Sequence, residues 1–332
     1  MDKDGVKFAV LCMQVSRQAN LRKLALDGPC NFCVEPPAST VDLNTWREVA
    51  GTWQLDEIRR AGLWVWTTAK SKFLGVQNAE NDRLHGRMVN YWISLLLHEP
   101  PDLRLPWVLT GHFEAGKPVV SSLAKLIGVF RQQTAVPNQL TPESLENVAT
   151  IAGNVDVAEQ ERIVAGRLER GFAAFVSGMQ SNTIDDSILS FVRALEAVLH
   201  PNTKKQFCAR AARILRSSTL SECDLATVLA DLYDVRSGLT HAEAIDTVFA
   251  GVTREDAVRR GRELRTLSYL LAARVYRKLF ASQELIRFFS HEQSEFWGKV
   301  VSGRKPAPFV ILIEPKEWEI VPGRSGKSVG DG

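Results

Sequence analysis

The chain has 332 residues, of which 45% are hydrophobic and 24% charged, and its formal net charge is +3. That is ordinary globular composition, enough for two domains of common size or one large one. A balance this mildly basic does not by itself predict nucleic-acid binding. No apolar run reaches the roughly 18 residues a membrane span needs, so no membrane partner is expected. The N-terminal MDKDGVKFAVLCMQV lacks the basic region and small-residue cleavage site of a signal peptide. Five cysteines, odd in number and scattered, read as reduced thiols in a cytoplasm. Cys30 and Cys33 form a CxxC in GPCNFCVEPP. A zinc site would need a second ligand pair, and none follows, so the pair is read as loop-borne and chemically idle.

In chain order, residues 7–15 (KFAVLCMQV) and 308–314 (PFVILIE) read as strands, being short, rich in β-branched and aromatic residues, and bounded by turn residues. They are expected to pair with each other and join the two ends. Residues 63–76 also read as extended. Residues 79–98 predict a helix that stops at the proline pair of EPPDLRLPW, and a further helix is expected over 118–133. Thr141 as N-cap, Pro142 at the first helical position and Glu143 beside the positive end predict a helix start. Six of the eight tryptophans lie in the first 130 residues. This half is read as a mixed α+β region, its boundary falling within 134–180, with 156–180 helical and bridging the halves.

From residue 183 the helical pattern is clear. Ile188, Val192, Leu195 and Leu199 mark one face of a helix over 184–200, punctuated by Pro201. An Arg-rich helix covers 203–216. Ser221 with Asp224 caps a third helix, lined by Leu225, Val228, Leu229 and Leu232. Thr253 with Asp256 starts a fourth, reaching about residue 284. Four helices with short connections predict an antiparallel bundle. The fold class is therefore mainly α, α+β overall. The expected domains are 1–155 (mixed α+β, regulatory or sensing), 156–300 (helical), and 301–332 (a terminal strand and a disordered tail). In that tail GRSGKS does not meet the phosphate-loop spacing, since Val321 stands where the first glycine belongs.

The segment LYDVRSGLTHAEAI (232–245) carries the chemistry. At about 100° per residue, Arg236 falls within about 40° of Leu225, Leu229 and Leu232, on the apolar stripe. A guanidinium there needs a carboxylate, a phosphate or a route to solvent. Glu196, flanking the stripe of the first helix, is the candidate partner. His241 follows five residues later, off the Arg236 face of a continuous helix, so the helix must fray or turn near Gly238 for the two to converge on one phosphate. Arg supplies a planar fork for phosphate oxygens and His a proton near neutral pH. The spacing alone is weak, because Arg193 and His200 match it too. An Arg–Glu pair that knits helices, and a terminal histidine favoured by the helix dipole, are the alternatives for the same residues.

FVRALEAVL (191–199), QFCARAARIL (206–215), LYDVRSGLTHAEA (232–244) and a long closing helix together resemble the HEPN superfamily, more narrowly the Apea-like HEPN domains of bacteria. The resemblance covers about 183–284 and is strongest in YDVRSGLTH. It implies a HEPN-like four-helix bundle, metal-independent endoribonuclease activity without a cofactor, and a homodimer formed through the helical domain. It assigns the family's arginine and histidine to Arg236 and His241, its first-helix glutamate to Glu196, and its polar residue after the arginine to Ser237, where many members carry Asn or Asp.

RNA is then the expected substrate, cut by its own 2′-hydroxyl. A base takes that proton, an acid protonates the leaving 5′-oxygen, and cations steady the phosphorane. Arg210, Arg213, Tyr233, Arg259 and Arg262 are the candidate RNA contacts. The last two belong to a stretch, 254–278, with eight basic residues against three acidic, although a charge run of this kind also fits a solvated face. An antiphage-defence or toxin effector, with a regulatory or antitoxin protein as a further partner, is the expected setting. Two other readings remain: a non-catalytic module binding RNA or a protein through the same cleft, and a metal or redox unit built on the CxxC.

Overall fold

The computed structural model describes residues 5–15, 31–33, 45–48, 50–71, 79–98, 103–126, 141–160, 166–217, 220–241, 248–249, 251–291 and 293–313. The protein is mostly helical with a small antiparallel sheet. It divides into two compact units, one comprising Met1–Gly128 and Pro137–Glu161, the other Val129–Val136 and Arg162–Gly332.

The first unit is built on a five-stranded antiparallel sheet. Its strands are β1 (Val6–Val15), β2 (Asn31–Cys33), β3 (Leu63–Lys70), β4 (Leu103–Glu114) and β5 (Lys117–Lys125), in the order β2-β3-β1-β4-β5. β1 is apolar at almost every position because both of its faces are covered. Phe8, Val10 and Cys12 join Trp46, Leu55, Ile58, Trp64 and Trp107 in one core cluster. The alternate residues Ala9, Leu11 and Met13 are equally buried, and helix α2 (Ala79–Leu97) packs on β1, β3 and β4. A short 3-10 turn (Thr45–Glu48) and helix α1 (Thr52–Arg59) complete the cluster.

Three sequence expectations change here. Both edges of β1 are taken by β3 and β4, so it does not pair with the C-terminal strand. Residues 118–133 do not start a helix: 117–125 form β5, and the rest of that range from 127 on lies outside the described residues. Ala115 (φ 47°) and Gly116 (φ 76°) have positive φ at both centres of a two-residue turn, the conformation whose twist suits a hairpin. The β-branched Val119 and Val120 then favour a strand. Finally, helix α3 (Pro142–Gln160) belongs wholly to this unit, moving the boundary from 155/156 to 161/162. It begins as expected, with the Ser144 N–H donating to Thr141 Oγ1 at 3.1 Å. It is tied to α2 through Asp156, which accepts from Arg87 Nε and Asn90 Nδ2, both at 2.8 Å.

The second unit contains α4 (Arg167–Gln180), α5 (Ile184–Leu199), α6 (Lys204–Ile214), α7 (Glu222–Thr240), α8 (Arg254–Phe280), α9 (Gln283–Phe289) and α10 (Ser294–Val301). The side chains of Thr183, Thr203, Ser221, Thr253 and Ser282 each accept an N–H in the first turn of the helix that follows, the N-caps that set these starts. The Ser282 cap also explains why α8 ends at Phe280 rather than near 284. β6 (Leu215–Arg216) continues from α6 and pairs in parallel with β7 (Ile311–Leu312), which is where the expected terminal strand goes; residues from 314 on lie outside the described residues.

α4 is not a bridge. It packs along α5 as part of this unit's core, with Phe172, Phe175, Phe191, Tyr269, Tyr276 and Phe280 in mutual ring contact among α4, α5 and α8. The close approach depends on Gly171, where a Cβ would stand 2.2 Å from Ala197 Cβ and 2.4 Å from the Tyr276 hydroxyl. Gly171→Ala is therefore expected to lose about 1–3 kcal/mol of stability through overpacking, despite the better helix propensity of alanine. Urea unfolding of the two proteins measures it.

Candidate functional site

α5 and α7 position the site. On α7, Leu225, Val228, Leu229, Leu232 and Val235 are buried, and Arg236 follows on the same stripe. Its Nη2 donates to Glu196 Oε2 of α5 at 2.9 Å. The pair is neither buried nor free, with side-chain exposures of 23% for Arg236 and 15% for Glu196. The guanidinium also lies over the Tyr233 ring, 5.6 Å from its centre, and Tyr233 is tilted against Phe207 of α6 at 5.3 Å. Arg236 Nε is buried and has no hydrogen-bond partner among the described residues. The structure thus brings Arg236, Glu196 and Tyr233 together and leaves part of the guanidinium's donor set uncommitted.

His241 is placed differently. α7 does not fray at Gly238 but runs through it to Thr240, with Thr240 Oγ1 donating to the Arg236 carbonyl at 2.7 Å. His241 is the C-cap, its N–H shared between the carbonyls of Gly238 (2.9 Å) and Ser237 (3.3 Å). Its side chain is exposed, and no hydrogen bond to Arg236 joins them. The expected turn at Gly238 is thus corrected: cooperative helix bonding on both sides outweighs the roughly 1 kcal/mol that one glycine costs. Ser237 is half-buried beside Arg236 on the same helix.

Of the basic candidates, Arg210 is not available to RNA. It is buried, and its Nη1 donates to the carbonyl of Leu199 at 2.8 Å and to that of His200. Burial, then the neighbouring Arg167 charge, lowers its pKa below the usual guanidinium value. Arg213 is exposed but donates to the Val301 carbonyl of α10 at 2.8 Å. Both arginines are used where helix ends leave carbonyls without intrahelical partners. Arg259 is exposed and paired with Asp256 one turn earlier. That contact raises the Arg259 pKa and, with the Thr253 hydroxyl, holds the Asp256 carboxyl below its ordinary value. Arg262 is exposed. Within the same helix, Arg265 turns inward to the Ser181 carbonyl at 3.0 Å, and burial pushes its pKa down to about 10.

Sequence reading missed Arg167. Its Nη2 donates to the Glu196 carbonyl at 3.2 Å, so the residue whose carboxylate holds Arg236 is itself held from α4. Arg167 lies outside the helical pattern from 183 that drew attention, and only tertiary packing shows its partner. Among the described residues no group of three or more His, Cys, Asp or Glu is placed to hold a metal ion. Cys30 of the CxxC lies outside them, as does the Cys33 side chain. Likewise no described helix is long and apolar enough to cross a membrane.

No protein-family model, curated protein or solved structure matches the chain. The distribution of arginines makes a direct prediction. Arg210→Met keeps bulk but strands two buried carbonyls and should cost about 1–3 kcal/mol or more, whereas Arg262→Ala should stay within about 0.5 kcal/mol of the parent. Chemical denaturation of both variants separates the structural arginine from the surface one.

Proposed function

We propose that α5–α8 of the second unit form a HEPN-like four-helix bundle and that the protein is a metal-independent endoribonuclease acting as a homodimer, in a bacterial antiphage-defence or toxin setting. The observation that supports this most is the 2.9 Å contact between Arg236 and Glu196, joining the two residues that the HEPN resemblance places in one site, with His241 exposed at the end of the same helix. In this reading Glu196 and the Tyr233 ring orient the guanidinium, and Arg236 holds the scissile phosphate through its remaining donors. The 2′-hydroxyl attacks phosphorus and the 5′-oxygen leaves, giving a 2′,3′-cyclic phosphate and a 5′-hydroxyl. His241 transfers one proton, and the same histidine of a second copy transfers the other. The first unit serves regulation or sensing.

A second reading has its own support. Glu196 already engages Arg236, and no hydrogen bond joins His241 to the pair, as suits a non-catalytic module that binds RNA or a protein through this surface. Cleavage of mixed tRNA and total RNA in EDTA, comparing the parent with His241→Ala and Arg236→Ala, decides between them. His241 is exposed, so its substitution should leave stability within about 0.5 kcal/mol while lowering cleavage at least about 100-fold. A His241→Ala variant that still cleaves sinks the ribonuclease reading, as does a full chain and an isolated 162–332 segment, the second unit with α4 and α10 included, that both bind RNA without cutting it.

A further inference from the structure

The first unit holds a cation between two indoles. The Lys125 ammonium lies over the Trp53 ring, 4.7 Å from its centre, and over the Trp107 ring at 5.3 Å. The rings meet edge-to-face at 6.4 Å and 75°. The carboxylate of Glu57, a buried residue, closes the arrangement: its Oε2 accepts from Lys125 Nζ at 3.2 Å and from Trp107 Nε1 at 2.9 Å. Trp107 is 3% exposed and fixed in the core, whereas Trp53 is 61% exposed. The cage therefore has one rigid wall, one wall open to solvent and a fixed anion at its base. Two indole faces and a carboxylate are the groups that recognise an ammonium, and a methylated one best, because it gives up its water easily.

We propose that Trp53, Trp107 and Glu57 form a binding site for an alkylammonium group, with Lys125 as its resident and displaceable occupant. Two features make Lys125 displaceable. It sits at the last position of edge strand β5, and its side chain is 36% exposed. A tethered lysine competes at an effective concentration on the order of millimolar, so a ligand must outbid it. The exposure of Trp53 has a purpose in this reading, since a core role would bury an indole. The proposal is independent of the ribonuclease reading, because every residue in it belongs to the first unit.

The test titrates full-length protein, labelled at the tryptophan indole nitrogens, with tetramethylammonium and with a trimethyllysine-bearing peptide, following the Trp53 and Trp107 N–H signals. Lys125→Ala should bind tetramethylammonium at least about tenfold tighter than the parent, by removing the tethered competitor. Lys125→Met, which keeps the side-chain stem, serves if the alanine variant melts. Adding Trp53→Ala should abolish the gain. Equal affinity for both probes assigns the site to free small cations, and tighter binding of the peptide assigns it to a protein side chain. No saturable shift in either Lys125 variant, or one indifferent to Trp53→Ala, overturns the proposal.

Discussion

The second unit depends on how the end of α5 is satisfied. A helix leaves its last carbonyls without intrahelical partners, and here the end is buried, with His200 in the left-handed conformation at φ 51° and 2% exposed. Water cannot serve carbonyls that the core excludes, so each needs a donor from the protein. Trp297 Nε1 of α10 supplies Val198 and Arg210 of α6 supplies Leu199 and His200, while Arg167 of α4 adds a second donor to the Glu196 carbonyl, which already accepts the His200 N–H. One turn earlier, the Tyr276 hydroxyl of α8 donates to Ala194 at 3.1 Å. Four helices therefore meet at one helix end through directional bonds, and the direction is what apolar packing alone lacks. Because Glu196 sits in that turn, its side chain is presented to α7 from a fixed base.

The same constraint governs how the unit spends its cations. Arg210, Arg213, Arg265 and Arg274 all donate to main-chain carbonyls, and burial withdraws Arg210, Arg265 and Arg274 from the surface. Charge counted along α8 thus overstates the cationic surface: Arg265 and Arg274 turn into the core, while Arg254, Arg259 and Arg262 face water. The outward arginines cluster in the first third of the helix. There Glu255 and Asp256 offset them near the positive end of the dipole. The cationic surface of α8 is thus split between its first third and its last turn, where Lys278 is exposed and Arg277 half-buried.

What was legible in the sequence follows from the range of the forces involved. Caps and apolar periodicity are local, so Ser221 with Asp224, Thr253 with Asp256 and the stripes of α5 and α7 could be read directly. The Arg236–Glu196 contact was legible too, because an arginine on an apolar stripe needs a carboxylate and the neighbouring helix offered one at its flank. The β5 hairpin was only half legible: Gly116 and the β-branched Val119 and Val120 favour a turn and a strand, but Ala115 at positive φ is not a residue that announces such a turn. The partners of β1, β7, Arg167 and Arg210 were not legible. Each is chosen by which elements the fold brings alongside, and neither strand propensity nor charge names a partner far along the chain.

The unbroken course of α7 constrains the proposed chemistry. At about 100° and 1.5 Å per residue, positions five apart on a regular helix diverge by about 140° and 7.5 Å along the axis. Arg236 therefore turns toward α5 while His241 stands exposed at the helix end. The shared N–H of His241 tightens only the final turn and leaves that divergence in place. If the protein cleaves RNA with these residues, the two proton transfers ask for two histidines, and each copy of α7 supplies one at its end. Dimerisation would then be a requirement of the reaction, because one chain brings a single histidine to a reaction with two proton transfers.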